Sequence, residues 1–176
     1  GFLSEANGPT HQAIEDISLM RGIPNVNIFC PADEEDMLIC LNQILYSPSP
    51  FYIRFNSASA QYKHSKNFDI GKAEIISEGK DITFLTYGFM FSEVLKIKEI
   101  LEKQGYSVGV INLRTLKPID ISVIVKVLTN SNYIFTVEDH FLTGGLFSIV
   151  AEIALNYKLK ANVFPFAFSD KWFKPS

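Results

Sequence analysis

The feature that most constrains this chain is alternation. Short apolar runs recur between stretches of helical period from one end to the other. Residues 26–30, 51–55, 72–77, 82–87, 108–113, 133–137 and 163–168 read as strands. Between them lie helical stretches. The first, over 8–24, carries Ala13, Ile14, Ile17 and Met20 on one face, with an entry at Gly8-Pro9 and Thr10 as cap. Asp33 caps a second helix running to Tyr46, and 91–103, 121–128 and 147–157 are three more. Strands alternating with helices predict an α/β fold of mostly parallel sheets joined by right-handed crossovers. Ligand sites in such sheets lie at the carboxyl ends of strands.

The alternation divides in two. Residues 1–56 hold two strands and two helices, too little surface to bury for independent stability. Residues 57–71 are polar, with few apolar anchors, and read as a linker. Residues 72–176 hold five strands and three helices, enough for a three-layer α/β/α domain around a five-stranded sheet. With 47% apolar and 20% charged residues among 176, the chain is globular, which excludes a disordered, collagenous or disulfide-knotted protein. A net charge of −3 leaves no electrostatic footprint for nucleic acid or an anionic membrane. No apolar run approaches the roughly 18 residues of a membrane span, and no signal peptide opens the chain. Cys30 and Cys40 lack any metal-ligand or CxxC spacing, as for free thiols in a cytoplasmic protein. The opening Gly1-Phe2-Leu3-Ser4 reads as the interior of a longer sequence.

Four places carry candidate chemistry. His11 follows a Gly-Pro bend at the expected start of a helix, whose positive end favours a neutral imidazole able to bond a substrate oxygen. The alternative is an exposed or capping histidine. Arg54 interrupts the apolar run Phe51-Tyr52-Ile53-Arg54-Phe55. A guanidinium there either clamps a phosphate or carboxylate or pairs with a nearby acid. Glu138-Asp139-His140, expected just after a strand and before Gly144-Gly145, reads as an acid/base cluster, an anion-binding helix start, or a tight turn packed on a neighbouring domain; the last is favoured. Arg114-Thr115-Leu116-Lys117-Pro118-Ile119-Asp120 reads as a structural loop ending in a helix cap at Asp120, with an interface role open to it. Trp172 and Phe173 are aromatics suited to a partner surface.

These residues together resemble the transketolase family of thiamine diphosphate enzymes. The resemblance is carried by Asn7-Gly8-Pro9-Thr10-His11-Gln12, Met20-Arg21-Gly22-Ile23-Pro24-Asn25 and Pro31-Ala32-Asp33, in that order. It extends through Val110-Ile111-Asn112-Leu113-Arg114-Thr115-Leu116-Lys117-Pro118-Ile119-Asp120 and Glu138-Asp139-His140 to Gly144-Gly145. It covers nearly the whole chain. It implies the end of a pyrimidine-binding domain over 1–56 and a transketolase C-terminal domain over 72–176.

The implied activity is transfer of a two-carbon ketol unit between sugar phosphates. Deoxyxylulose-phosphate synthase, the β subunit of a 2-oxoacid dehydrogenase and a non-catalytic assembly module are the alternatives. The resemblance gives His11 the sugar oxygens at the reacting centre and Arg54 the substrate's phosphate. Asn7 stands where the family has the Asp that reads a substrate hydroxyl; Asn keeps an acceptor, adds a donor and lacks the charge. The family's thiamine diphosphate and Mg2+ ligands match nothing in this chain. The implied partners are therefore the remaining N-terminal domains or a separate subunit carrying them, in a homodimer or heterotetramer. The isolated chain is expected to be inactive and to bind no cofactor.

Overall fold

In the computed structural model, residues 10–56 and 58–173 are described. They form helix α1 (Asp16–Arg21), strand β1 (Asn27–Phe29), α2 (Glu34–Leu45), β2 (Phe51–Ile53), β3 (Glu74–Ser77), β4 (Ile82–Thr86) and α3 (Met90–Lys103). Then come β5 (Val108–Asn112), β6 (Thr115–Lys117), α4 (Ile121–Asn130), β7 (Tyr133–Phe141), α5 (Leu146–Asn156) and β8 (Val163–Phe168). The strands make two sheets, one in the order β2-β1-β6 and one in the order β3-β5-β4-β7-β8. In the larger sheet β5, β4, β7 and β8 are mutually parallel, while β3 runs antiparallel to β5. The fold is thus α/β with a mostly parallel five-stranded sheet, as the alternation predicts.

Local sequence explains the ends of the helices. The Asp33 carboxylate accepts from the Asp36 amide at 3.0 Å, and Glu34, Glu35 and Asp36 place acids in the first turn of α2, against its positive end. Asp120 caps α4 in the same way, accepting from the Val123 amide at 3.2 Å.

Three expectations change. The first helix begins at Asp16 instead of Thr10. The Ala13 carbonyl accepts from the Arg54 guanidinium, the Ile14 carbonyl accepts from the Phe141 amide, and the Ser18 amide that would close a helical turn on Ile14 donates to His140 instead. The loop after β5 contains a strand: β6 leaves its own half of the chain and pairs antiparallel with β1. Finally, β7 runs four residues past Val137, so Glu138, Asp139 and His140 lie within the strand.

The borrowed strand shows how the small amino-terminal part is stabilised. Its Ile17, Ile28 and Cys30 are buried in one continuous core with Leu85, Tyr87, Leu113, Leu116 and Leu146 from the rest of the chain. The connecting residues are anchored as well, because Phe68 packs with Phe29, Cys40 and Ile44. The apolar core that residues 1–56 cannot build alone is completed across the junction.

Candidate functional site

The carboxyl ends of strands from both sheets converge at one junction. Arg54 directly follows β2, Tyr87 follows β4, and Glu138 to Phe141 end β7. The turn that carries His11 is bonded to Arg54 through Ala13 and to Phe141 through Ile14. His11 is exposed, with Nδ1 2.9 Å from the Thr10 hydroxyl, while its neighbours Gln12 and Ile14 are buried. The helix starts five residues beyond His11 and has only six residues. Its dipole therefore does not act on the imidazole as the sequence suggested. Asn7 lies outside the described residues.

Arg54 is only 7% exposed, and each of its three nitrogens bonds a protein group. Nε donates to Asp16 at 2.9 Å, and Nη1 donates to the Asp139 carboxylate. Nη2 donates to the carbonyls of Ala13 at 2.9 Å and Asp139 at 3.0 Å. The guanidinium also sits over the Tyr87 ring, 5.8 Å from its centroid. Of the two readings open for Arg54, pairing with acids is what the geometry displays. Asp139 and the buried Tyr87 were not foreseen as its partners, since each is far from it in sequence.

Glu138, Asp139 and His140 each face a different neighbour. Glu138 accepts from the amides of Leu146 at 2.7 Å and Phe147 at 3.0 Å, capping α5, and from the Tyr87 hydroxyl at 3.3 Å. Burial raises its carboxyl to about 7 even against these three donors. His140 donates from Nδ1 to the Phe141 carbonyl at 2.7 Å and accepts at Nε2 from the Ser18 amide at 3.3 Å. That tautomer is neutral, and burial lowers its pKa accordingly. Gly144 has φ +81°, and a Cβ there would overlap the Ser18 side chain. Close packing between the two parts of the chain, the reading favoured for this motif, is what these residues do.

A second buried cluster gathers residues that are scattered along the chain from Asp33 to Arg114. Arg114 Nε is 2.6 Å from Asp36, and its Nη2 is 3.0 Å from Glu74. The guanidinium also donates to the carbonyls of Asn67 and Ser65. His64 places Nδ1 2.8 Å from Glu74 and Nε2 3.1 Å from Asp33. A neutral ring donates from one nitrogen only, so two carboxylate partners mark an imidazolium. Burial acts to lower its pKa, but Glu74, Asp36 and Asp33 outweigh it and raise the value. Asn112, a lone amide in the apolar strand Val108–Asn112, completes the cluster by donating to Glu74 at 3.1 Å. That lone polar residue was the one available signal.

Asp36, His64 and Glu74 bring ligand atoms within 4.8 Å of one another. The set does not fit a magnesium ion holding a diphosphate: it is buried, and the Arg114 guanidinium already occupies the cation's place between Asp36 and Glu74. Cys30 and Cys40 are free and buried, and burial pushes both thiols far above the ordinary range. Trp172 is 59% exposed and meets Phe141 edge-on. No helix among the described residues is long and apolar enough to cross a membrane.

Residues 3–61 match the transketolase pyrimidine binding domain, and residues 71–175 match the transketolase C-terminal domain. The chain belongs to the transketolase family. It is 35% identical over 98% of its length to 1-deoxy-D-xylulose-5-phosphate synthase of Dictyoglomus thermophilum, and covers 28% of that protein. It is 34% identical to a putative transketolase C-terminal section of Methanocaldococcus jannaschii, over 90% of this chain and 52% of that one. A solved structure described as a split gene transketolase, inactive beta4 tetramer, superposes with a TM-score of 0.84 at 32% identity, covering 92% of this chain and 54% of the other. The chain therefore spans between about a quarter and a half of the length of these relatives. Transketolase-family enzymes depend on thiamine diphosphate.

Proposed function

We propose that this chain is the carboxyl-terminal part of a transketolase-type enzyme that moves a two-carbon ketol unit between sugar phosphates. Thiamine diphosphate and Mg2+ are then held by domains outside residues 1–176, on the same polypeptide or on a partner subunit. Residues 1–56 close the pyrimidine-binding domain, 57–71 connect, and 72–176 brace it. The observation that supports this reading is the His11 turn: an exposed imidazole followed by buried Gln12 and Ile14, on a backbone bonded by Arg54 after β2 and by Phe141 at the end of β7.

In the tautomer where Nδ1 accepts from the Thr10 hydroxyl, Nε2–H is left as a donor. It stabilises a ketose oxygen as negative charge develops there. Asn7 reads a neighbouring hydroxyl as donor and acceptor. Arg54, to which the resemblance gives the phosphate, has its donors on Asp16, Asp139 and the Ala13 carbonyl, so His11 carries the reading. His11→Ala in the complete enzyme is expected to lower kcat/KM by about 100-fold or more with an unchanged melting temperature. An unchanged kcat/KM sinks the assignment. Calorimetry of the isolated chain with thiamine diphosphate and Mg2+ is expected to show no binding.

The synthase relative that aligns with 98% of this chain favours a second reading, condensation of pyruvate with an aldehyde phosphate with loss of carbon dioxide. Assaying the complete enzyme with a ketose phosphate against pyruvate separates the two.

A further inference from the structure

Arg54 places one of its donors on the backbone of the turn that carries His11, and the others on acids from both halves of the chain. A guanidinium has five N–H groups. The bonds to Asp16, the Asp139 carboxylate, the Asp139 carbonyl and the Ala13 carbonyl use four of them. Bidentate capture of a phosphate would need a pair of N–H groups, and only one is left over, so a pair would have to be taken from a bond that holds the Ala13 turn or the end of β7. The residues next to Asp139 grip the same turn. The Phe141 amide donates to the Ile14 carbonyl at 2.9 Å, and His140 Nε2 accepts from the Ser18 amide at 3.3 Å. The end of β7 thus holds the backbone between Ala13 and Ser18 directly through His140 and Phe141, and through Arg54 from Asp139.

We propose that Arg54 and Asp139 form a bolt that positions the His11 turn, making Arg54 a positioning residue and not the phosphate ligand, with Asp139 the group that fixes it. The inference rests on the reading of His11 as a substrate contact. It gives the carboxyl-terminal sheet a task in the reaction although none of its residues touches substrate.

The test uses the complete enzyme with its substrate and the same substrate lacking the phosphate. Asp139→Asn is expected to lower kcat by about 10- to 100-fold, by the same factor for both substrates, because a small displacement of a positioned group costs that much. KM should stay within about twofold, and Asp139→Glu should recover part of the loss. Arg54→Lys should show the same pattern. A rise in KM confined to the phosphorylated substrate in Arg54→Lys, with Asp139→Asn silent in kcat, would overturn the proposal and return Arg54 to the phosphate.

His11→Ala keeps the two failures apart. If it leaves kcat/KM unchanged, the substrate reading falls, and the bolt is judged by amide hydrogen exchange over residues 13–18. Asp139→Asn accelerates that exchange if the bolt holds the turn and leaves it unchanged if it does not. Should Asp139→Asn not fold, Arg54→Lys keeps a cation beside both acids and gives the same readouts.

Discussion

Two arginines are buried at the junction between the sheets, and their surroundings are nearly the same. Arg54 comes from the first part of the chain and is held by Asp16 from that part and Asp139 from the other. Arg114 comes from the second part and is held by Asp36 from the first and Glu74 from the second. Each therefore joins one acid from either side. The difference lies in which backbone each holds. Arg54 bonds the carbonyl of Ala13, beside the exposed His11, whereas Arg114 bonds the carbonyls of Ser65 and Asn67 in the connection. The same ionic chemistry fixes a candidate reacting group in one place and the path of the chain in the other.

The largest effect expected is from removing the second arginine. Arg114→Met leaves Asp36 and Glu74 in the interior without their cation, a change that costs about 3–5 kcal/mol. At about 2–4 °C per kcal/mol for a chain of this size, the melting temperature should fall by roughly 10 °C. The catalytic rate at a temperature where the variant is still folded should stay close to the parent's. If Arg114→Met instead lowered kcat as Asp139→Asn is expected to, the functional contrast between the two clusters would not exist.

Gly144→Ala strikes the Arg54 side through packing. The position has φ +81°, and the added methyl would overlap Ser18, two residues from the Arg54 partner Asp16. Strain in the left-handed region and the overlap together should cost about 1–3 kcal/mol. Because α1 must shift, activity should fall along with stability, which distinguishes this site from Arg114. A calorimetric scan and a kcat measured on the same sample check it.

A smaller effect should appear only as a function of pH, on the Arg114 side. His64 has a folded pKa above its unfolded 6.5 because Glu74, Asp36 and Asp33 surround it. Its contribution to stability is then complete below pH 6.5 and is lost as pH rises through the folded value. Arg114 and Asn112 are further polar side chains on the same carboxylates. The parent should lose a few degrees of melting temperature over that rise relative to His64→Gln, which lacks the group. His140 gives the opposite sign. Its lowered pKa makes its own contribution complete above pH 6.5 and lost as pH falls through the folded value.

The two sides also differ in how much of them the sequence disclosed. Helix α2, α4 and the parallel strands followed from local signals: an apolar run, an Asp cap, a Gly or Pro stop. Arg54 stood out because a charge in an apolar run needs a partner. The partners did not stand out, because Asp139 lies 85 positions away. The start of α1 was misread for the same reason: the carbonyls that would have begun the helix are bonded by Arg54 and Phe141, which no local pattern encodes. Strand β6 is three residues long and pairs with a distant sheet, so its period was too brief to register. His64 sat in a polar stretch that looked free of anchors, and only the fold brings it between Asp33 and Glu74.

The smallest expected effect tests whether burial, and not ion pairing as such, makes these clusters matter. Lys96 and Glu93 form an ion pair on the surface of α3 at 2.7 Å, no longer than the 2.9 Å between Arg54 and Asp16. Their side chains are 60% and 50% exposed, against 6% and 9% for the buried pair. Water solvates the surface ions whether or not they meet, and two long side chains lose freedom when they do. Glu93→Gln should therefore change stability by less than about 0.5 kcal/mol, and added salt should erase even that. The buried pair has no such solvation to fall back on, so its loss should be nearly indifferent to salt. Denaturant titrations at low and high ionic strength measure both. A Glu93→Gln cost comparable to that of Arg114→Met would mean that the contact distance, which the two pairs share, decides the energy, and burial, which they do not share, does not.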